Sequence, residues 1–142
     1  MKICVAYWSG TGNTGAMAQA VAEGVKAAGG EAVLAEAGKV KPDEILAADG
    51  IALGCPAMGA EILEEEAMEP LVTELAAKGT GDKPVGLFGS YDWGDGQWMR
   101  DWSQRMKAAG SKLIAEGVIA QLAPDAAALE ACAALGKKLA GA

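Results

Sequence analysis

Short apolar runs rich in valine, isoleucine and leucine alternate along this chain with longer stretches of helical period, and a few glycine-rich or polar residues separate each pair. That alternation is the pattern of an α/β protein. Strands are expected at about residues 2–7, 31–36, 50–54, 84–89 and 112–118. Because these runs are continuously apolar, both faces of their sheet must be covered, which calls for parallel strands joined by right-handed helical crossovers. The expected architecture is three-layered: a doubly wound, five-stranded parallel sheet in order 2-1-3-4-5.

The helical stretches carry their own punctuation. The first shows Met17, Val21, Val25 and Ala28 on one face, starts under Asn13 or Thr14 as a cap, and stops at Gly29-Gly30. A short second helix opens at Pro42, with Asp43 and Glu44 suiting the positive end of its dipole. The third carries Met68, Leu71, Val72 and Leu75 on one side, takes Pro70 in its first turn, and ends near Gly79. The fourth presents Trp98, Trp102, Met106 and Ala109, and the i, i+4 spacing of the two tryptophans reads as core. The last begins around Pro124-Asp125, buries Leu129, Cys132 and Leu139, and finishes with Lys137 and Lys138.

A chain of 142 residues suits one domain, residues 1–142, able to bury about 70% of the surface its unfolded form exposes. Cys4, Cys55 and Cys132 are odd in number and far apart, which fits neither a disulfide framework nor a metal-ligand spacing. They read as reduced thiols in a cytoplasmic protein. The amino-terminal apolar stretch is too short for a signal-peptide core, and no apolar span is long enough to cross a membrane. Twelve Lys and Arg against 19 Asp and Glu give a net charge of −7, with no histidine. That balance argues against nucleic acid as a partner, and the missing histidine leaves general acid–base work to carboxylates or cysteines.

Between the first strand and the first helix lies Ser9-Gly10-Thr11-Gly12-Asn13-Thr14-Gly15, with three hydroxyls, one amide, three glycines and no charge. It reads as a phosphate cradle. Backbone N–H groups and the positive end of a helix can converge there on one anion, and the hydroxyls of Ser9, Thr11 and Thr14 add donors. Without a following lysine the run fails the pattern of nucleotide triphosphatases. Gly10-x-Gly12-x-x-Gly15 satisfies a dinucleotide fingerprint, with Glu36 near the place of a ribose-binding acid, but a lone match of that kind carries little weight.

In a doubly wound sheet, ligands sit beyond the carboxyl ends of the strands where the winding reverses. The loops expected there are elaborate after strand 1, after strand 3 (Cys55 to Glu61) and after strand 4 (Ser90 to Gly96), and plain after strand 5 (Ile119 to Ala123). The order 2-1-3-4-5 makes strands 1, 3 and 4 neighbours, so the three elaborate loops meet over one crevice. All seven aromatic residues, Tyr7, Trp8, Phe88, Tyr91, Trp93, Trp98 and Trp102, fall in two windows that begin at the ends of strands 1 and 4. Aromatics gathered beside a phosphate cradle suit a planar ligand, with Trp93 the strongest candidate to stack on it.

At these loops the whole chain resembles the flavodoxins. Ser9 to Thr14 is similar to their loop for the phosphate of flavin mononucleotide (FMN), Pro56-Ala57-Met58-Gly59-Ala60-Glu61 to their second loop, and Gly89-Ser90-Tyr91-x-Trp93-Gly94 to their third. With no insertion within the fifth strand, it resembles the short-chain members. The resemblance implies that residues 9 to 14 hold the phosphate, Trp93 covers one flavin face, Met58 lies against the other, and Glu61 accepts from flavin N(3)–H. It also implies that the Gly59 carbonyl turns toward N(5) when one electron and one proton arrive, since protonated N(5) is a donor. Glycine at position 59 would make that flip sterically cheap. Trp8 becomes a candidate contact at the phosphate or ribityl end. Asp92 departs from the pattern, which carries Gly before the tryptophan, and would add a carboxylate near the pyrimidine.

The function implied is a low-potential one-electron carrier with noncovalent FMN, cycling mainly between semiquinone and hydroquinone. Repulsion between a reduced flavin and Glu61, Asp92, Asp95 and the run Glu64-Glu65-Glu66 would lower the second potential, by ~2 kcal/mol or ~90 mV for one charge at about 8 Å and a dielectric near 20. The run Glu64 to Glu66 also reads simply as a solvated loop edge. The partners implied are redox proteins docking through basic surfaces, and a monomer is expected from the lack of a second apolar face. Two other readings share the fold. An NAD(P)H:quinone-type reductase would need room for a second substrate over the flavin, and a phosphoryl-accepting signalling module would need clustered acids after strand 1.

Overall fold

The computed structural model describes residues 1–142. Six strands form one sheet: β1 (Lys2–Tyr7), β2 (Glu31–Glu36), β3 (Gly50–Gly54), β4 (Pro84–Tyr91), β5 (Lys112–Leu113) and β6 (Val118–Gln121). Every pairing is parallel, and the order is β2-β1-β3-β4-β5, with β6 continuing along the same partner, β4. The sheet expected from the sequence is therefore present, with its fifth strand in two pieces.

The interruption has a plain cause in register. Val85 pairs with Leu113 and Phe88 with Val118, so three steps along β4 match five along the edge. Two extra residues bulge out between Ile114 and Gly117. Strand pairing then runs on to Gln121, which corrects two expectations: the fifth strand does not run unbroken over 112–118, and residues 119–121 are strand rather than loop.

Five helices, α1 (Asn13–Ala27), α2 (Pro42–Leu46), α3 (Met68–Lys78), α4 (Gln97–Ala108) and α5 (Ala126–Gly141), cover the two faces. Alternation along the strands divides the core. Ile3, Val5, Ala52 and Phe88 pack on α1 and α5, whereas Cys4, Ala6, Ile51, Leu53, Val85 and Leu87 pack on α2, α3 and α4. Both Trp98 and Trp102 are buried in that second layer, as their spacing requires. Leu129 is only half-buried; Leu135 and Gly136 take the inner face of α5 with Cys132 and Leu139.

Helix starts differ from expectation at one functional place. Helix α1 begins beneath Gly12, in the left-handed region at φ +95°, with no side-chain cap from Asn13 or Thr14. Glycine tolerates that conformation at no steric cost, and Thr14 is released for another partner. By contrast Asp125 caps α5 as its position suggests, accepting from the Ala128 N–H at 2.8 Å.

Candidate functional site

The carboxyl ends of β1, β3 and β4 bring the three elaborate loops together, and hydrogen bonds tie each to the next. Thr14, 1% exposed, shares a 2.9 Å hydrogen bond between its hydroxyl and that of Ser90 and accepts from the Ser90 N–H at 3.3 Å. The Ser90 carbonyl accepts from the Ala57 N–H at 3.0 Å. Thr14 and Ser90 therefore join the first loop to the third and, through the backbone, to the second. Both were singled out from sequence as ligand contacts, and the structure gives each a tie within the chain.

The first loop is shaped as an anion seat. Ser9 Oγ accepts from the Gly12 and Gly15 N–H groups at 3.2 and 3.1 Å, and Thr11 Oγ1 from that of Asn13 at 3.4 Å. The N–H groups of Gly10, Thr11 and Thr14 make no hydrogen bond within the chain and stand at the positive end of α1. Trp8, half-buried, lays its ring beside Gly10: a Cβ there would come within 2.9 Å of the indole.

The second loop is a compact hairpin. Met58 and Ile62 form an antiparallel bridge, the Glu61 N–H donates to the Met58 carbonyl at 2.7 Å, and Glu61 takes a left-handed φ of +56°. Neither Gly59 nor Ala60 does, so Met58–Glu61 is a type I turn followed by a left-handed residue. Pro56, Ala57 and Met58 are half-buried, while Gly59 and Ala60 are exposed. Glu61 is half-buried with Oε1 fully covered and without a hydrogen-bond partner, its carboxylate lying against Gly94 of the third loop.

In the third loop Ser90 and Tyr91 belong to β4, so the irregular part starts at Asp92. Asp92, Trp93 and Gly94 are exposed, Trp93 by 62%. Ala57, Met58, Gly59, Glu61, Asp92 and Trp93 line one narrow cleft between the loops. Of the aromatic windows Tyr7, Trp8, Tyr91 and Trp93 reach this end in part-exposed positions; Phe88 is buried in the α1–α5 layer. The Tyr91 ring packs on Trp98, centroids 5.5 Å apart.

Supporting residues escaped the sequence reading. Arg100 holds the third loop through Asp95, donating to its carbonyl at 3.0 Å and its carboxylate at 2.9 Å. Gln121 on β6 donates to the Asp92 carbonyl at 3.2 Å. Neither spacing resembles a motif; the first turn of α4 brings Arg100 back to Asp95, and only the fold makes Gln121 a neighbour of Asp92. Glu64 was the other miss. It is buried, and its carboxylate accepts from the N–H groups of Glu66, Ala67 and Met68 at 2.7, 2.6 and 3.0 Å, closing the turn that leads into α3. Of the acidic run only Glu65 and Glu66 are a solvated edge.

A family model described as "Flavodoxin" matches residues 5–136. The chain belongs to the flavodoxin family. It is 45% identical over 136 residues to the flavodoxin of Clostridium beijerinckii, covering 96% of this chain and 97% of that one. To the flavodoxin of Megasphaera elsdenii it is 46% identical over 121 residues, 85% and 87% of the two chains. A solution structure of two-electron reduced Megasphaera elsdenii flavodoxin superposes with a TM-score of 0.85 at 43% identity over 99% of each chain. The cofactor is FMN, and the protein is an electron carrier serving redox partner proteins. No helix is long and apolar enough to cross a membrane.

The residues present fit that cofactor. Free N–H groups at a helix start suit a phosphate, and a covered, unpartnered carboxylate oxygen beside an exposed tryptophan suits a planar ring with an N–H at its edge. One pH effect is independent of loading in this flavodoxin. Burial works against the charge of Glu64, but three backbone N–H donors outweigh it and hold its carboxyl below the usual glutamate range. A depressed folded-state value stabilises the fold above the unfolded value, and that gain is lost as pH falls through the folded one. Glu64→Gln is expected to cost about 1–2 kcal/mol at pH 7 and progressively less below about pH 4.5, read from urea melts across pH. A pH-independent difference would remove the charge from the capping role.

Proposed function

We propose that this chain is a low-potential one-electron carrier in which the first loop holds the FMN phosphate and the second and third loops hold the ring. The observation that carries the reading is Glu61 Oε1, covered and unpartnered between those two loops. An orphaned buried acceptor is costly, and a ring N–H at that point relieves it. On this assignment Ser9, Gly10, Thr11, Gly12, Asn13 and Thr14 bind phosphate, Trp93 and Met58 take opposite ring faces, and Glu61 takes N(3)–H. Trp8 contacts the phosphate or ribityl end. Pro56, Ala57, Ala60, Ser90, Tyr91, Asp92 and Gly94 shape the slot.

The protein's own lever on the redox chemistry is the Met58–Glu61 turn. Rotating the Gly59–Ala60 peptide converts a type I turn into type II, in which the third residue needs φ near +80°. That residue is Ala60. Steric cost thus falls on Ala60 rather than on Gly59, where a Cβ would meet nothing within 4 Å. Ala60→Gly is expected to lower the cost of the rotated turn by about 1 kcal/mol, widening the gap between the two one-electron potentials by ~40 mV. An unaltered gap would show that the turn does not rotate with reduction.

Cycling mainly between semiquinone and hydroquinone follows from a rotated turn that favours the first reduction and carboxylates that oppose the second. An anaerobic titration followed in the visible range tests this. A blue intermediate that accumulates and then bleaches supports the one-electron carrier; direct bleaching, with rapid NAD(P)H oxidation, supports the reductase instead. Trp93 and Met58 on both ring faces leave that second substrate no place.

The chain acts as a single-domain cytoplasmic monomer whose acidic rim receives basic surfaces of its partners. The edge strand β2 exposes Val33 and Leu34. Pairing two copies antiparallel about the centre of Glu31–Glu36 would set Glu31 against Glu36 at both ends, which disfavours the dimer. Sedimentation should give one species of 14.3 kDa; a concentration-dependent dimer would contradict this.

A further inference from the structure

The second loop leaves the sheet at Cys55 and meets α3 at Glu64, and one side chain touches both ends. Cys55 is fully buried. Its Sγ–H donates to the Pro56 carbonyl at 3.4 Å, and the same sulfur accepts from the Glu64 N–H at 3.4 Å. The cysteine's backbone is fixed separately. Its N–H donates to the Phe88 carbonyl at 3.1 Å, and its own carbonyl accepts from Trp98 Nε1 at 3.1 Å. Past Glu64 the chain is fixed again, because that carboxylate closes the turn that leads into α3. The sulfur is therefore the side-chain link, across the stem of the loop, between the end of β3 and the start of α3.

We propose that the Cys55 thiol is a positioning residue: it clasps the stem of the second loop and so sets the balance between the two arrangements of the Gly59–Ala60 peptide. The inference rests on the reading of that loop as a wall of the flavin site. A peptide rotates in place only if the residues flanking it stay put. Met58 and Glu61 are held by the Met58–Ile62 bridge, and that bridge hangs between Pro56 and Glu64. Contacts through sulfur are long, which fits a stem that must hold its width without being drawn tight. Burial pushes the thiol up to about 12, so it keeps the proton it donates to Pro56.

The alternatives are chemically distinct. Alanine removes both contacts and leaves the Glu64 N–H without a partner in a buried place. Serine offers the same donor and acceptor from a shorter bond, and its hydroxyl reaches its preferred O–H···O distance of about 2.7–2.8 Å only if the stem draws in. Neither substitution touches the ring or the phosphate seat.

The test compares wild type, Cys55→Ala and Cys55→Ser with Cys132→Ala as control. Cys132 is equally buried but sits on the far layer with no side-chain hydrogen bond. Two quantities are read: amide exchange at Glu64 and Met58 in the apoprotein, and the separation of the two one-electron midpoint potentials in the FMN-loaded protein. Exchange at Glu64 should rise at least tenfold in Cys55→Ala, and the separation should narrow at least threefold in equilibrium constant, or ~30 mV, in both Cys55 variants. Cys132→Ala should lower Tm and leave both readings alone. An unchanged separation in the Cys55 variants, or an equal change in Cys132→Ala, overturns the proposal. If Cys55→Ala fails to fold, Cys55→Ser decides. If wild type binds no FMN, the functional reading falls, and exchange at Glu64 and Met58 alone decides whether the thiol clasps the stem.

Discussion

Gly89→Ala is expected to cost at least ~3 kcal/mol and to lower Tm by about 10 °C, although it adds a single methyl group to a strand. A Cβ at Gly89 would collide with the Cys55 carbonyl oxygen, lie 3.0 Å from the carbon of that carbonyl, and come within 3.2 Å of the Trp98 ring. The first two are backbone atoms of the neighbouring chain segment, which cannot swing aside as a side chain would. Relief comes in one of two ways. The seam between β3 and β4 spreads where the Cys55 N–H bonds the Phe88 carbonyl, or the Cys55 carbonyl turns away and strands the buried Trp98 N–H. Overpacking contributes about 1–3 kcal/mol and an orphaned buried donor about as much again. Against a total stability of about 5–15 kcal/mol, that is a large share. FMN affinity should fall too, because Ser90 and Ala57 are joined just beyond the spread seam. Gly59→Ala is the matched control: the same methyl in open space should leave Tm unchanged within about 2 °C. Equal stability of Gly89→Ala and wild type would mean that the seam is looser than the structure has it.

That contrast shows what sequence can and cannot disclose. Strands β1 to β3 carry continuous apolar runs bounded by glycine or polar residues, and their limits were legible to the residue. The fifth strand was not: Glu116-Gly117 interrupts its apolar run, as a glycine at a bulge does, but only the pairing with β4 shows that the chain resumes as strand beyond it. The three loops were legible as a group because glycines, hydroxyls and aromatics are rare together at strand ends. Their internal division of labour was not. Nothing in the composition of residues 9 to 15 says that Thr14 faces inward to Ser90, 76 positions away. Glu64 was invisible for the same reason: between Leu63 and Glu65 it looks like one of three solvated acids, and only the turn into α3 covers it. Local chemistry announces where a site lies, whereas contacts distant in sequence decide which side chains face a ligand and which hold the walls.

Glu61→Gln should raise the second one-electron potential by ~90 mV and leave the first nearly where it is. The half-buried carboxylate sits at the mouth of the cleft with one oxygen covered and unpartnered, so its charge is only partly screened by solvent. On the proposed one-electron cycle a proton would accompany the first electron, and no net charge would appear beside Glu61. The second would add a negative charge, and at about 8 Å the repulsion would be ~2 kcal/mol at an effective dielectric near 20, which the amide removes while keeping an acceptor of nearly the same shape. The position also resists larger changes, because its φ of +56° is strained for any side chain and the carboxylate packs on Gly94. Asp92→Asn supplies the comparison. Asp92 is exposed, so the same loss of charge should shift the second potential by much less and the shift should vanish sooner with added salt. If both substitutions moved the potential equally, the effect would be one of net charge. If neither did, any lowering of the second potential would have to come from the polarity of the slot and not from its carboxylates.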